Sequence, residues 1–437
     1  MELLNTNRKN IAFTHLPQAS RPLNILIVNW SWYPTGGDWT YIENLVKFYE
    51  KQGHKVIPFS MKSEHNYDTP FAKYFISNIN YKELNQNKSL SNGIKAVKKT
   101  LYSIEAKQNL EKLLQEHEID IAHVNNIHHY LTPASILPLL KRNLIPIIWT
   151  VHDYSILCPN TTFTNKDKIC EKCKGGAFYQ CIVNNCKKNS WRASTIAAVE
   201  SYTNSLANPY KYVDYYICPS RFIANKFIEF GFDHSKIRQV YNLFDTSSII
   251  AKPVGTQGKK KNIVYVGNIT KVKGVFTLVK AVKDIDVQLT IIGGGEFLDE
   301  LIEYTKANEY TNVSFLGRRN KTDVFRYLHD ATFVVVPSEW YENLPYSIVE
   351  ALLLAKPVLA SRIGGIPELI TDGVTGFLFE AGSITDLQNK IIYLLGMNSS
   401  ELDNVGSNAQ RHVNEMVNYN SFYQQMEIIF SSLSLKL

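Results

Sequence analysis

The stretch VPSEWYENLPYSIVEALLLAKPVLASRIGGIPELI, residues 336–370, reads as strand, loop, helix, strand and a second helix start. A β-branched apolar run ends at Pro337-Ser338, a polar loop carries Glu342, and a helix beginning near Pro345 carries Glu350. The next apolar run, 358–360, is again short and β-rich. Strands joined through a crossover helix lie parallel, and parallel strands buried on both faces read as continuous apolar runs rather than alternating ones.

Outward from this unit the same alternation occurs twice. The second half predicts strands at 263–266, 288–292, 313–316, 333–336 and 358–360, with helices after most of them. The first half predicts strands at 24–29, 55–59, 119–124, 145–151 and 215–219, separated by helices such as 41–51, 106–116 and 133–142. The expected architecture is therefore α/β: two Rossmann-like, doubly wound parallel-sheet domains facing an interdomain cleft. We place the first domain at 1–246, a Ser-, Lys- and Gly-rich linker at 247–261, the second domain at 262–418 and a last helix at 419–437. That helix carries Phe422, Met426, Ile429 and Phe430 at helical spacing and needs a partner surface, for which a crossing back to the first domain is expected.

At 437 residues the chain is long enough for two cores, and 45% hydrophobic with 20% charged residues is ordinary globular composition. The net charge of +7 is uneven, with residues 1–245 holding 29 Lys and Arg against 20 Asp and Glu. Such a half calls for an anionic neighbour: a phosphorylated small molecule, an anionic membrane face or nucleic acid. Nucleic acid ranks last, since no basic stripe with interleaved aromatics accompanies the charge. The polar opening 1–10 lacks the apolar core of a secretion signal, and no apolar run approaches a bilayer span, so a cytoplasmic location is expected, with peripheral contact to the inner face of the membrane.

Ligands of open parallel sheets bind beyond the carboxyl ends of the strands, so residues there are the candidates. After the first strand, Gly36 and Gly37 precede a helix; the pair either makes a tight turn or lets a ligand approach the free N–H groups of the helix start. After the first strand of the second half come Gly267, Asn268 and, just before the next helix, Lys273, which is either solvated or placed against a phosphate. Gly293, Gly294 and Gly295 superficially suggest a dinucleotide fingerprint, but Phe297 and Leu298 break the G-x-G-x-x-G pattern. Glu342 and Glu350 flank a helix start; each taken alone reads as a dipole cap or a solvated carboxylate, while together they suit vicinal hydroxyls of a ligand.

The combination of G-N-I-x-x-x-K-G at 267–274, E-N-L-P-Y-S-I-V-E at 342–350 and G-G-I-P-E at 364–368 resembles glycosyltransferase family 4, whose members are retaining enzymes of the GT-B fold. The likeness extends to the Gly36-Gly37 loop, VHDYSILCP around His152, CPSRFIANKFIEFGF and YNLFD. It implies a nucleotide-sugar donor held by the second domain and a saccharide or lipid-linked acceptor met by the first. Residue by residue it implies Lys273 at the donor diphosphate, Glu350 at the ribose hydroxyls, Glu342 at the transferred sugar, Asn343, Leu344 and Pro345 beside the sugar or phosphate, and His152 beside the reacting centre. Asn268 stands where the family usually has Arg, which shifts leaving-group stabilisation onto Lys273 and helix termini.

The resulting expectation is a retaining glycosyltransferase of cell-surface polysaccharide or glycolipid synthesis, with no cofactor required for catalysis. Two alternatives use the same donor pocket: a GT-B nucleotide-sugar epimerase, and a catalytically silent nucleotide-sugar-binding protein. Five of six cysteines crowd 158–186, and Cys170, Cys173, Cys181 and Cys186 present a C-x2-C pair and a second pair that can hold structural zinc; otherwise they are thiols of a loop insert spanning 158–190. Its lysines 166, 168, 172, 174, 187 and 188 suit an acceptor entrance or anionic lipid.

Overall fold

The computed structural model describes residues 21–78, 100–244 and 261–437; the opening at 1–10 and, Lys261 apart, the expected linker lie outside the described residues. The first sheet comprises β1 (Asn24–Val28), β2 (Lys55–Phe59), β3 (Ile121–Val124), β4 (Ile147–Thr150), β7 (Tyr215–Cys218) and β8 (Ile237–Gln239), while β5 (Thr164–Asn165) and β6 (Lys168–Ile169) form a separate small hairpin. The second comprises β9 (Asn262–Val266), β10 (Gln288–Ile292), β11 (Val313–Gly317), β12 (Phe333–Val336), β13 (Val358–Ser361) and β14 (Phe377–Phe379). Every strand pair within these two sheets is parallel.

The strand orders are β2-β1-β3-β4-β7-β8 and β11-β10-β9-β12-β13-β14. The order reverses between β1 and β3 in the first sheet and between β9 and β12 in the second, and these switch points are where α/β sheets open a crevice. Alternation along each strand feeds two cores. Leu26 and Val28 of β1 meet Leu110, Leu113 and Ile136 on one face, while Ile25 and Ile27 meet Ile42, Leu45 and Phe48 on the other. In β9, Val264 and the pair Ile263 and Tyr265 divide in the same way.

The helix Tyr419–Ser432 lays Phe422, Met426, Ile429 and Phe430 against that second face of the first sheet, with the Phe48 and Phe422 rings 4.9 Å apart and edge-on. The segment after β4 holds the hairpin β5–β6, the short helix Tyr179–Val183 and the long helix Trp191–Ala207. Among the described residues no three His, Cys, Asp or Glu side chains, Cys170, Cys173, Cys181 and Cys186 included, are grouped to hold a metal ion. Instead Cys173 and Cys181 turn into a small apolar cluster with Ala198, Cys170 and Cys186 stay half-buried, and all are free thiols. Burial raises the Cys173 thiol to about 12, while the hydrogen bond with Cys186 lowers the Cys181 thiol to about 7.

Candidate active site

A cavity of about 490 Å³ lies where the two sheets' carboxyl ends face each other. Gly37, Asp38, Asn126, His152 and Asp153 line it from the first sheet; Gly267, Lys273, Trp340, Glu342 and Glu350 line it from the second, with Asn343, Leu344 and Pro345 between. Gly36 lies just outside as the N-cap of the helix Gly37–Lys51. Asn268 is not among the lining residues, and its backbone carbonyl accepts from Tyr265 Oη at 2.7 Å. The helices Gly37–Lys51 and Tyr346–Leu353 both begin at the cavity, and a Cβ on Gly37 would stand 3.3 Å from the Tyr346 ring. Two positive helix ends thus converge on one space.

Lys273 reaches the cavity because the turn before it folds back tightly. Gly274 adopts φ +68°, and a Cβ there would lie 1.8 Å from the Pro337 carbonyl oxygen, so the lysine loop rests directly on the exit of β12. Lys273 Nζ donates to Glu342 Oε1 at 2.6 Å, Ser338 Oγ donates to the same oxygen at 2.6 Å, and the ammonium sits 4.8 Å from the Trp340 ring centre. Burial alone would raise the Glu342 carboxyl, but Lys273, Ser338 and their hydrogen bonds hold it below the usual carboxylate range. Glu342 is therefore ionised and paired rather than a cap on the helix dipole. Among the described lining residues Lys273 is the sole Lys or Arg.

The backbone around Glu342 is fixed from behind. Gly365 N donates to the Glu342 carbonyl at 2.7 Å, and a Cβ on Gly364, at φ +60°, would fall 2.4 Å from that carbonyl oxygen. The Gly364-Gly365 turn is thus a backrest that only glycine permits. Asn343 crosses the cleft: its Nδ2 donates to the Val151 carbonyl at 2.9 Å and its Oδ1 accepts from Ser220 Oγ at 2.8 Å. Its side chain is spent on joining the two halves.

Glu350 lies one turn into its helix, facing the cavity, with Lys321 Nζ 3.9 Å away. Desolvation pushes its carboxyl up to about 7. A buried carboxyl with a raised value that lines a cavity is placed to exchange hydrogen bonds with a ligand there.

His152 follows β4, half-buried, with its ring 4.9 Å from Tyr41. Its Nε2 lies 2.9 Å from Asn125 Oδ1, and Asn125 Nδ2 in turn donates to the His123 carbonyl at 3.4 Å. With the amide nitrogen so engaged, Asn125 Oδ1 accepts the proton on Nε2 and leaves Nδ1 as an acceptor. Burial lowers the His152 imidazole from its ordinary value of 6.5, against the opposing pull of Asp38 and Asp153, so the neutral ring prevails at neutral pH.

Sequence patterns did not single out Asn125, Asp38, Asn126 or Trp340. Asp38 Oδ2 accepts from Trp30 Nε1 at 3.4 Å and Asn126 Nδ2 at 3.3 Å, which only the adjacency of β1 and β3 makes visible.

Residues 35–248 match the family model described as Glycosyltransferase Family 4, and residues 247–412 match Glycosyl transferases group 1. An uncharacterized glycosyltransferase of Methanocaldococcus jannaschii is 26% identical over 379 residues, 85% of this chain and 88% of that protein. The N-acetyl-alpha-D-glucosaminyl L-malate synthase of Bacillus anthracis is 24% identical over 75% of this chain and 79% of its own length. Among solved structures, HepE of Anabaena in complex with UDP and glucose superposes with a TM-score of 0.63 at 19% identity, covering 94% of this chain and 100% of that one.

Proposed function

Because this chain belongs to the family 4 glycosyltransferases and is an enzyme of GT-B architecture using a nucleotide-sugar donor, we propose that it is a retaining transferase acting on a saccharide or lipid-linked acceptor in polysaccharide or glycolipid synthesis. The observation that carries this reading is the single cavity that holds Lys273, Glu342, Glu350 and His152 between two helix N-termini.

In the reaction the bond between the sugar's anomeric carbon and the diphosphate oxygen breaks, leaving negative charge on the diphosphate and positive charge on the ring. Lys273 and the two helix ends receive the diphosphate charge. Glu350 accepts from the ribose hydroxyls, and Glu342, kept ionised by Lys273, accepts from hydroxyls of the transferred sugar. His152 Nδ1 accepts from a sugar or acceptor hydroxyl. The carboxylates nearest the centre are already engaged: Glu342 with Lys273 and Ser338, Asp153 with the Ser155 N–H at 2.8 Å. This supports attack by the acceptor hydroxyl on the face the diphosphate leaves, its proton passing to the departing phosphate oxygen, rather than a covalent glycosyl intermediate.

Peripheral association with the cytoplasmic face of a membrane fits a lipid-linked acceptor. The test is release of nucleotide and transfer of labelled sugar from UDP-, GDP-, ADP- and dTDP-sugars to saccharide and lipid-linked acceptor pools. Donor-dependent transfer lost in His152→Ala, with donor affinity retained, supports the reading. Conversion to an epimer with no acceptor, or donor binding without nucleotide release, points to the epimerase or the silent binder instead.

A further inference from the structure

The helix Trp191–Ala207 carries apolar side chains on its outer side. It buries Ser194, Glu200 and Asn204 beside Ala197 and Ala198, and it turns Ile196, Val199, Tyr202 and Leu206 outward, with Leu206 87% exposed. A helix packed on a core ordinarily does the reverse. The inner face is polar for local reasons: Glu200 accepts from the His129 backbone N–H and pairs with its Nδ1 at 2.5 Å, and Ser194 Oγ accepts from the Lys187 N–H. On the outer side Tyr202 packs edge-on against the Phe178 ring at 5.2 Å and its Oη accepts from the Tyr179 N–H at 3.1 Å, which leaves Ile196, Val199 and Leu206 exposed.

Two neighbours extend it. Trp191 at the helix start is 61% exposed, and Val183 on the adjoining helix Tyr179–Val183 is 71% exposed. In the same segment Lys172, Lys174, Lys188 and Arg192 are all exposed and without an ion pair among the described residues, Lys188 just before the helix and Arg192 in its first turn. From residue 172 to 207 the sole acidic side chain is Glu200, which is buried. Exposed apolar side chains with an aromatic among them, cations in the same segment and no exposed carboxylate between 172 and 207 suit contact with anionic lipid.

We propose that the helix Trp191–Ala207 docks the enzyme on an anionic bilayer surface, with Ile196, Val199 and Leu206 entering the acyl boundary and Lys188 and Arg192 at the phosphates. The commitment to lipid rests on charge complementarity: a soluble partner needs no run of cations around an aliphatic stripe, and a second copy would set these cations against each other. The placement also suits the chemistry. A second cavity of about 550 Å³ runs along the inner flank of this helix, from Ser201 and Ser205 to Ser155, three residues past His152. The docking surface lies on the same domain as His152, and the proposal deepens, and rests on, the reading of a lipid-linked acceptor.

The test uses the full chain and sedimentation with vesicles of phosphatidylcholine alone or mixed equally with phosphatidylglycerol, while binding of UDP-, GDP-, ADP- and dTDP-sugars is measured without vesicles. The wild type should bind mixed vesicles at least tenfold more tightly than neutral ones, and less so at high salt. The Ile196→Ser/Leu206→Ser and Lys188→Gln/Arg192→Gln pairs should each lose at least tenfold with unchanged melting temperature and donor affinity. Wild type that ignores anionic vesicles, or variants that bind them equally well, overturns the proposal. A wild-type dimer dispersed by Ile196→Ser/Leu206→Ser assigns the face to a second copy and overturns it too. Donor binding without vesicle binding sinks the docking surface alone; vesicle binding without binding of any nucleotide sugar sinks the transferase reading alone.

Discussion

Two carboxylates of the same cavity are pushed in opposite directions, and each direction has a consequence. Glu350 is raised from an ordinary value of 4.5 to about 7 by burial, so accepting ribose hydroxyls requires an ionisation that the empty site resists. Donor affinity should weaken as pH falls from 8 to 6, whereas Glu350→Gln should bind about tenfold or more weakly with a flat profile, read by titration calorimetry. The stability sign is opposite to that of a salt-bridged acid. Ionising Glu350 costs more folded than unfolded, so its destabilisation grows as pH rises from 4.5 to about 7, and Glu350→Gln should raise the melting temperature more at pH 8 than at pH 5.

Glu342 is held below its ordinary value by Lys273, so its stabilising contribution is full above 4.5 and is lost as pH falls through its folded value. Lys273→Ala strands a buried carboxylate and should cost about 3 kcal/mol at neutral pH, a deficit that shrinks on acidification as Glu342 takes up a proton. Thermal melts of the variant across pH read this directly. At this scale the sequence pointed to His152, Lys273, Glu342 and Glu350 because each follows a strand end or opens a helix. Asn125 escaped notice: it is one asparagine among many, and only the pairing of β1 with β3 and of β3 with β4 brings it to His152.

Among elements, the longer strands were legible and the shortest were not. Ile237–Gln239 and Phe377–Phe379 hold three residues each, too few for an apolar run to stand out, yet they complete both sheets. The helix Gly37–Lys51 starts ahead of the expected 41 because its first turn is Gly, Asp and Trp, whose apolar member alone sets no period. The loop at Gly274 is an element whose conformation is dictated outright. Gly274→Ala must shift the chain away from Pro337 and carry Lys273 with it, so we expect a loss of about 3 kcal/mol and of at least tenfold in donor affinity, read by denaturant titration and calorimetry.

At the scale of the molecule, sequence patterning could announce two similar halves but not how they meet. The meeting is made by side chains from one half completing elements of the other. Glu368 accepts from the N–H groups of Arg221 at 2.8 Å and Phe222 at 2.7 Å, capping the helix Arg221–Glu229 across the cleft, and Asn343 bridges to Val151 and Ser220. The helix Tyr419–Ser432 clasps the first sheet through Phe422, Met426, Ile429 and Phe430, each burial contributing about 1.5–3 kcal/mol. Glu368→Ala should therefore cost about 1 kcal/mol as a lost cap, enlarge the radius of gyration in solution scattering, and raise KM for the donor more than it lowers kcat.

The most direct measurement is a crystal structure of the chain with the nucleoside diphosphate of its donor bound, chosen by the screen of UDP-, GDP-, ADP- and dTDP-sugars. The account predicts the diphosphate within hydrogen-bond reach of Lys273 Nζ and the start of the helix Tyr346–Leu353, and the ribose hydroxyls on the Glu350 carboxylate. A nucleotide seated elsewhere, or with its ribose turned away from Glu350 and its phosphates away from Lys273, would contradict it.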